Sequence, residues 1–249
     1  MIEVLRRLDR RTIYVIMALS VILPLLHPIR LPVTPSVPVI ETFNFVEKIP
    51  VGGTILLSFD YGPSTAVELD PVAKSILQQC FRRGVRVIGM TLLADGRPFL
   101  DRNMAEVAKA FGKTEGTDWV DLGFQLGGFT VIKSLGNGFA QAFPTDRHGH
   151  QTTALPLMQQ VHDYRDVALV MSLSAADPGI RDWIKIIPSE FRRPLGCACT
   201  AVYFAELAPF LNSGQLIGLV GGLRGAAEYE KLVGIPGTAT QDMDAQSLA

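Results

Sequence analysis

"ILLSFDYGPSTAVELDP", Ile55 to Pro71, sets an apolar run against a turn and then a helix start. The run stops at Asp60 and turns through Gly62 and Pro63. It restarts at Asp70-Pro71, which reads as a helix cap with proline in the first turn. Strand ends that carry a carboxylate in this way are where α/β proteins place ligand-binding and catalytic groups. The competing reading of Asp60 is local. Gly62, Ser64 and Thr65 surround it with turn-forming chemistry, and an Asp there commonly accepts from the amides of its own turn.

Outward from this stretch the same grammar repeats. The expected strands are TILLSFD, VRVIGMTLL, DWVDLGF, VALVMSLSA, LGCACTAV and QLIGLVGG. Most are continuous apolar runs rather than alternating ones, as when helices cover both faces of a parallel sheet. Helical patterns lie between them. Gly84 after Arg82-Arg83 reads as a helix stop, and DPGIRDWIKII and VYFAELAPFLNSG follow the same pattern. Strand, helix, strand repeated this often implies right-handed crossovers and a layered α/β fold with a mostly parallel, doubly wound sheet. Asp60, Asp177 and Gly221 each end a strand, so all three are expected at one edge of it. The stretch from Gly136 to Pro156 is the longest irregular one and reads as a flap over a site.

The beginning of the chain has a different character. Arg6, Arg7, Arg10 and Arg11 precede Thr12 to Ile29, a run without formal charge. Its eighteen residues at about 1.5 Å each span roughly 27 Å, close to the thickness of a bilayer's hydrocarbon core. The expectation is that residues 1–29 are a cytoplasmic basic start and a transmembrane anchor, with Thr12 to about Ile29 as one helix in contact with membrane lipid. The arginine excess puts the N-terminus in the cytoplasm and the remainder outside. A cleaved signal peptide is the alternative, but the small residues around Ala18-Leu19-Ser20 lie inside the apolar run rather than after it. Residues 30–49, with Pro32, Pro35 and Pro38 following Pro28, read as an extended proline-rich stalk without helix. Residues 50–234 form the α/β domain, and 235–249 a tail. That tail carries no capped helix or strand, so Gln241 to Ala249 is expected either to be ordered by a neighbouring chain or to lead back to the membrane.

Composition narrows the function classes. The 249 residues are 48% hydrophobic and 19% charged, with a formal net charge of -1, so there is no broad basic field for nucleic acid. Three cysteines, Cys80, Cys197 and Cys199, are too few for a disulfide framework. No cofactor fingerprint is present. At GLVGGLRGAAEYE the first glycine of a dinucleotide motif is replaced by Val220, although Gly221, Gly222, Arg224 and Gly225 at a helix start suit an anion. Close strand–helix packing would ask for the same glycines. Beside that motif, Asp60 and Tyr61 are the other ligand-binding candidates. Asp60, Asp177 and Cys199 are the catalytic ones, with His148 or His150 as a base for the thiol. Asp177 before Pro178 also reads as a plain helix cap. Asp146, His148 and His150 alternate in TDRHGH, a weak metal pattern that lacks a clear fourth ligand.

The segments LLSFDYGPSTAVELDPVAKSIL, ADPGIRDWI and SGQLIGLVGGLRGAAEYEKLVG resemble a family of prokaryotic membrane-anchored α/β proteins to which no activity is assigned. The resemblance spans nearly the whole chain and implies a membrane anchor without implying a reaction. Family members continue past the equivalent of MDAQSLA into a second apolar span. Two function classes follow. The preferred one is a binding or assembly domain that works with other membrane proteins or with copies of itself. The other is a hydrolase or transferase built on Asp60, Asp177 and Cys199, for which no complete nucleophile–base–orienter set can be read.

Overall fold

The computed structural model describes residues 10–26 and 34–234. The tail and the residues just before Thr34 lie outside them, as does the expected ordering of Gln241 to Ala249. In chain order the elements are α1 (Arg10–Leu26), α2 (Val37–Glu47), β1 (Thr54–Asp60), α3 (Ala66–Arg83), β2 (Arg86–Thr91), α4 (Arg97–Ala110) and β3 (Trp119–Phe124). They continue as α5 (Phe129–Leu135), α6 (Phe139–Ala142), β4 (Leu169–Ser174), α7 (Ile180–Ile186), β5 (Leu195–Cys199), α8 (Ala201–Asn212), β6 (Gly218–Gly221) and α9 (Gly222–Val233).

All six expected strands form, and they make one parallel sheet in the order β3-β2-β1-β4-β5-β6. The chain starts in the middle, builds outward to β3, returns beside β1 and builds outward to β6. That is the doubly wound arrangement, with its reversal between β1 and β4. Period-two alternation divides β1 between two cores. Ile55, Leu57 and Phe59 pack in the layer that contains residues of α2, α3, α4 and α9, while Leu56 joins the layer of α5, α7 and α8. Every residue of β1 is buried, which is why its sequence is apolar without alternation.

Register fixes the edge that matters. Asp60 lies opposite Ser174, Ser174 opposite Cys199, and Cys199 opposite Gly221. Asp60, Gly221 and the loop carrying Asp177 therefore share the carboxyl edge, as the strand pattern required.

Several local expectations are corrected. The helix after β1 begins at Ala66 with Thr65 in the cap position, so Pro71 is inside α3 and Asp70 caps nothing. Asp70 instead accepts from the Tyr61 hydroxyl at 2.7 Å and from Asn103 Nδ2 at 2.7 Å, and pairs with Arg102. Asp177 does not cap α7 either. The Asp177–Pro178 peptide is cis, Gly179 is the cap residue, and the Ile180 amide donates to Ser174 Oγ at 3.0 Å. β5 ends at Cys199, and Ala201 and Val202 already belong to α8. The stalk is helical from Val37 onward. Pro38 sits in the first turn, where its missing amide costs nothing, and Val39, Thr42 and Val46 are buried. Gly218 makes room for this helix, because a Cβ there would lie 2.1 Å from Thr42 Oγ1. The Gly136–Pro156 stretch is anchored at points along its length, and Phe143 to Arg147 and Gly149 line a cavity at the end of β3. Phe139 and Phe143 are buried in the core, and Arg147 N donates to the Asp121 carbonyl at 3.1 Å.

No helix among the described residues is long and apolar enough to cross a membrane; α1 has 17 residues. All of its residues from Arg10 to Leu23 are exposed.

Candidate functional site

The carboxyl edge is closed at its centre. Asp60 follows Ser58 on one face of β1, and its carboxylate accepts from Ser58 Oγ at 2.7 Å, Leu92 N at 2.9 Å and Trp183 Nε1 at 3.0 Å. It is fully buried. Burial pushes its pKa up from 3.8 to about 6; the three hydrogen bonds oppose that rise, and the nearby Asp182 charge adds to it. The partners come from β1, the end of β2 and α7, so Asp60 joins three elements. The Trp183 indole fills the space beside the β1–β4 reversal, where an open sheet of this order would hold a ligand. The backbone seals the remainder. A Cβ on Gly96 would lie 2.2 Å from the Phe59 carbonyl, and one on Gly179 would lie 2.2 Å from Ser174 Oγ.

Tyr61 turns to the opposite face. Its ring lies between Phe59 and Phe99 at centroid distances of 6.0 and 5.4 Å. Its phenol is pushed well above the usual range, by burial first and then by the Asp70 charge. Cys199 and Cys197 are free, buried thiols on β5, and burial drives the Cys197 thiol strongly upward. The His148 and His150 loop lies against β3, four strand spacings or about 19 Å from β5, so neither imidazole serves Cys199. Asp177 is exposed and pairs with Arg181 at 3.5 Å. The three catalytic candidates share an edge without sharing a cavity.

Among the described residues, a cavity lies on each side of the closed centre. The first, of about 310 Å³, lies at the end of β3, against Arg97, Gly123, Gln125, Thr145 and Arg147. Beside it Arg147 meets Asp101 at 3.1 Å, Glu115 at 3.2 Å and Asp121 at 3.6 Å. Asp121 is buried and accepts from Gly123 N at 2.7 Å. Burial, and then contact with Asp101, push its pKa up to about 8, while Asp101 is held below the carboxylate range by its contacts with Asp121 and Arg147 despite partial burial. The pair therefore retains one proton near neutrality, resting on Asp121. Sequence reasoning passed over Asp121 and Arg147. The signal was a carboxylate interrupting the apolar run DWVDLGF, but its partner arginine is 26 positions away and no local pattern links them.

The alternating Asp146, His148 and His150 make a turn. Asp146 accepts from His148 N at 2.9 Å and His150 N at 2.8 Å and faces His150 Nδ1 at 3.0 Å. Although burial works against it, these contacts hold its pKa below the usual range. His148 turns toward Glu115, 3.3 Å away. No group of three or more His, Cys, Asp or Glu among the described residues is placed to hold a metal ion.

The second cavity, of about 400 Å³, lies at the end of β6 against Ser36, Phe204, Gly221, Arg224 and Gly225. Its glycines answer to packing. A Cβ on Gly221 would lie 2.3 Å from Phe204, on Gly222 2.8 Å from Ala201, and on Gly225 3.1 Å from Val220. Arg224 Nε pairs with Glu228 at 3.0 Å. Glu228's other oxygen accepts from Ser36 N at 2.9 Å and Ser36 Oγ at 2.6 Å, holding the start of α2. The amide at the start of α8, Ala201 N, already has an anion in Glu68, 2.9 Å away.

The chain matches no protein-family model and no curated protein. Its own geometry is then the guide to function. Among the described residues, no nucleophile, base and orienting group meet in one cavity, and the carboxylates with shifted pKa values are held by structural partners.

Proposed function

We propose that this chain is a membrane-anchored binding or assembly module: an α/β domain on the extracytoplasmic side of a membrane that works with copies of itself or with other membrane proteins. The observation that carries the reading is α1. Nine of its large apolar side chains, from Ile13 to Leu23, are between 43% and 67% exposed, and they face outward all around the helix. At about 1.5–3 kcal/mol for each side chain buried, more than about 10 kcal/mol is gained once this helix finds an apolar environment. Its Ser20 hydroxyl already bonds to the Met17 carbonyl at 2.8 Å, the internal satisfaction that a lipid environment demands. Together with the uncharged run on to Ile29 and the arginines before it, this supports insertion with the N-terminus in the cytoplasm. The sealed β1–β4 reversal supports a role in contact rather than turnover.

Full-length protein mixed with liposomes should float with the lipid and remain with it after a high-pH carbonate wash; recovery in the aqueous fraction overturns the anchor. Chemical cross-linking in membranes of expressing cells should trap species heavier than one chain. Monomers alone at every linker length overturn the assembly role.

A further inference from the structure

We infer that the carboxyl edge of the sheet is a bilayer-facing surface, laid against the lipid by the same anchor; this rests on the membrane reading above. The exposed large hydrophobic residues of the domain are not scattered. Val37, Val67, Leu126, Phe129 and Val202 are 65%, 56%, 81%, 43% and 87% exposed. Val67, Leu126, Phe129 and Val202 lie where the chain leaves the carboxyl ends of β1, β3 and β5, and Val37 begins α2 on the same side. The exception is Val51, 79% exposed in the turn before β1 at the opposite edge.

α8 begins at this surface with Ala201 and Val202 and runs back along the flank of the sheet. It is an apolar helix, AVYFAELAPFLN, in which only Leu207 is buried. Val202, Ala205 and Pro209 are exposed at spacings of three and four, which puts them on one outward stripe. One side of this helix packs on the core through Leu207, Phe204 and Phe210, and the apolar stripe on its other side has no cover among the described residues.

The occupant follows from where the tether enters. Ser36 is pinned to Glu228 and lines the cavity shared with Phe204 and Gly221, next to the start of α8. From Leu26 to Thr34 there are eight peptide steps, which reach at most about 28 Å when fully extended. A membrane holding α1 is therefore within about 28 Å of the point where the chain enters the domain, which lies at this edge. Beside α8 the exposed charges are paired. Near α8, Arg181 pairs with Glu206 at 2.6 Å and with Asp177, and Arg224 pairs with Glu228. Attachment through paired charges and apolar side chains draws on burial rather than on anionic headgroups, and is expected to be insensitive to salt.

The test uses the full chain in phosphatidylcholine vesicles. Val202→Cys, Leu126→Cys and Val51→Cys are each labelled with an environment-sensitive fluorophore. The native cysteines, all buried, stay unlabelled in the folded protein. Lipids carrying a spin label near the headgroup should quench the probes at 202 and 126 at least about threefold more than the probe at 51, a strand length or roughly 20 Å away. The difference should persist in 1 M salt and on diluting the protein in lipid. Flotation of the labelled protein with equal quenching at all three positions overturns the inference and leaves the anchor standing. Protection at 202 that disappears on dilution in lipid assigns the face to a second copy of the chain and also overturns it. Failure to float removes both readings together.

Discussion

Two buried aspartates, Asp60 at the end of β1 and Asp121 within β3, sit in one sheet and are held in different ways. Asp60 has three donors from three elements, and its pKa stops at about 6. Asp121 has one backbone donor and an acidic neighbour, and its pKa reaches about 8. Burial raises both; the number of donors aimed at the carboxylate and the sign of the adjacent charge set how far. Asp60 is consequently ionised at neutral pH and fastens the centre of the edge. Asp121 keeps its proton and shares it with Asp101 beneath Arg147.

The largest effect expected is from Asp60→Ala, which orphans the Ser58, Leu92 and Trp183 donors together. A loss of about 3 kcal/mol is expected in urea unfolding followed by tryptophan fluorescence. A loss below about 1 kcal/mol would break the claim that this carboxylate joins three elements.

Next comes the pH dependence. A folded-state pKa above the unfolded value means that the fold binds the proton more tightly, so stability is greatest at the acid end and declines as pH rises through the folded pKa. For Asp60 that decline runs from about pH 4 to 6, and for Asp121 from about pH 4 to 8. The lowered Asp101 acts in the opposite direction, but only below about pH 4, outside this window. Between pH 6 and 8.5 a net loss of about 2–3 kcal/mol is expected. Asp121→Asn should flatten this window while leaving the decline below pH 6, and thermal unfolding across the range checks both. An unchanged slope in the variant would place the proton elsewhere.

Trp183→Phe keeps a ring in the space but removes the indole donor, so a cost near 1 kcal/mol is expected. A cost above about 3 kcal/mol would mean that ring volume, rather than the bond to Asp60, dominates. Smallest is Asp177→Ala. Its carboxylate is 61% exposed and paired only across the surface, so a change under about 0.5 kcal/mol is expected in the same urea assay.

What was legible in the sequence divides along the same line. The six strands and their shared edge follow from apolar runs that end abruptly, a local signal repeated often enough to fix the topology class. Asp60 was visible because it ends such a run, whereas its partners Leu92 and Trp183 are distant in sequence and were not. Asp70-Pro71 and Asp177-Pro178 both carry the local signature of a helix start. In both, tertiary contacts moved the start elsewhere, to Ala66 through the turn at Gly62 and to Ile180 through Ser174 Oγ. The prolines before Val39 hid a helix whose buried face is set by β6 and α9. The glycines at 221, 222 and 225 suited an anion cradle and close packing equally well, and only the distances to Phe204, Ala201 and Val220 separate the two.

The Ser36–Glu228 contact also sets an order of events. Its two ends are 192 residues apart, and α2 has its seat on β6 and α9, the last strand and helix of the domain. During synthesis the first helix of the domain leaves the ribosome early but has nothing to dock on until the final strand arrives. Until then Val39, Thr42 and Val46 lack their cover, and the outer edge of β6 has yet to be made. Loop closure over so long a stretch is slow and favours late, cooperative completion. Once it closes, the segment that follows the apolar helix is clasped by the end of the fold, so a pull on that segment is borne by β6 and α9.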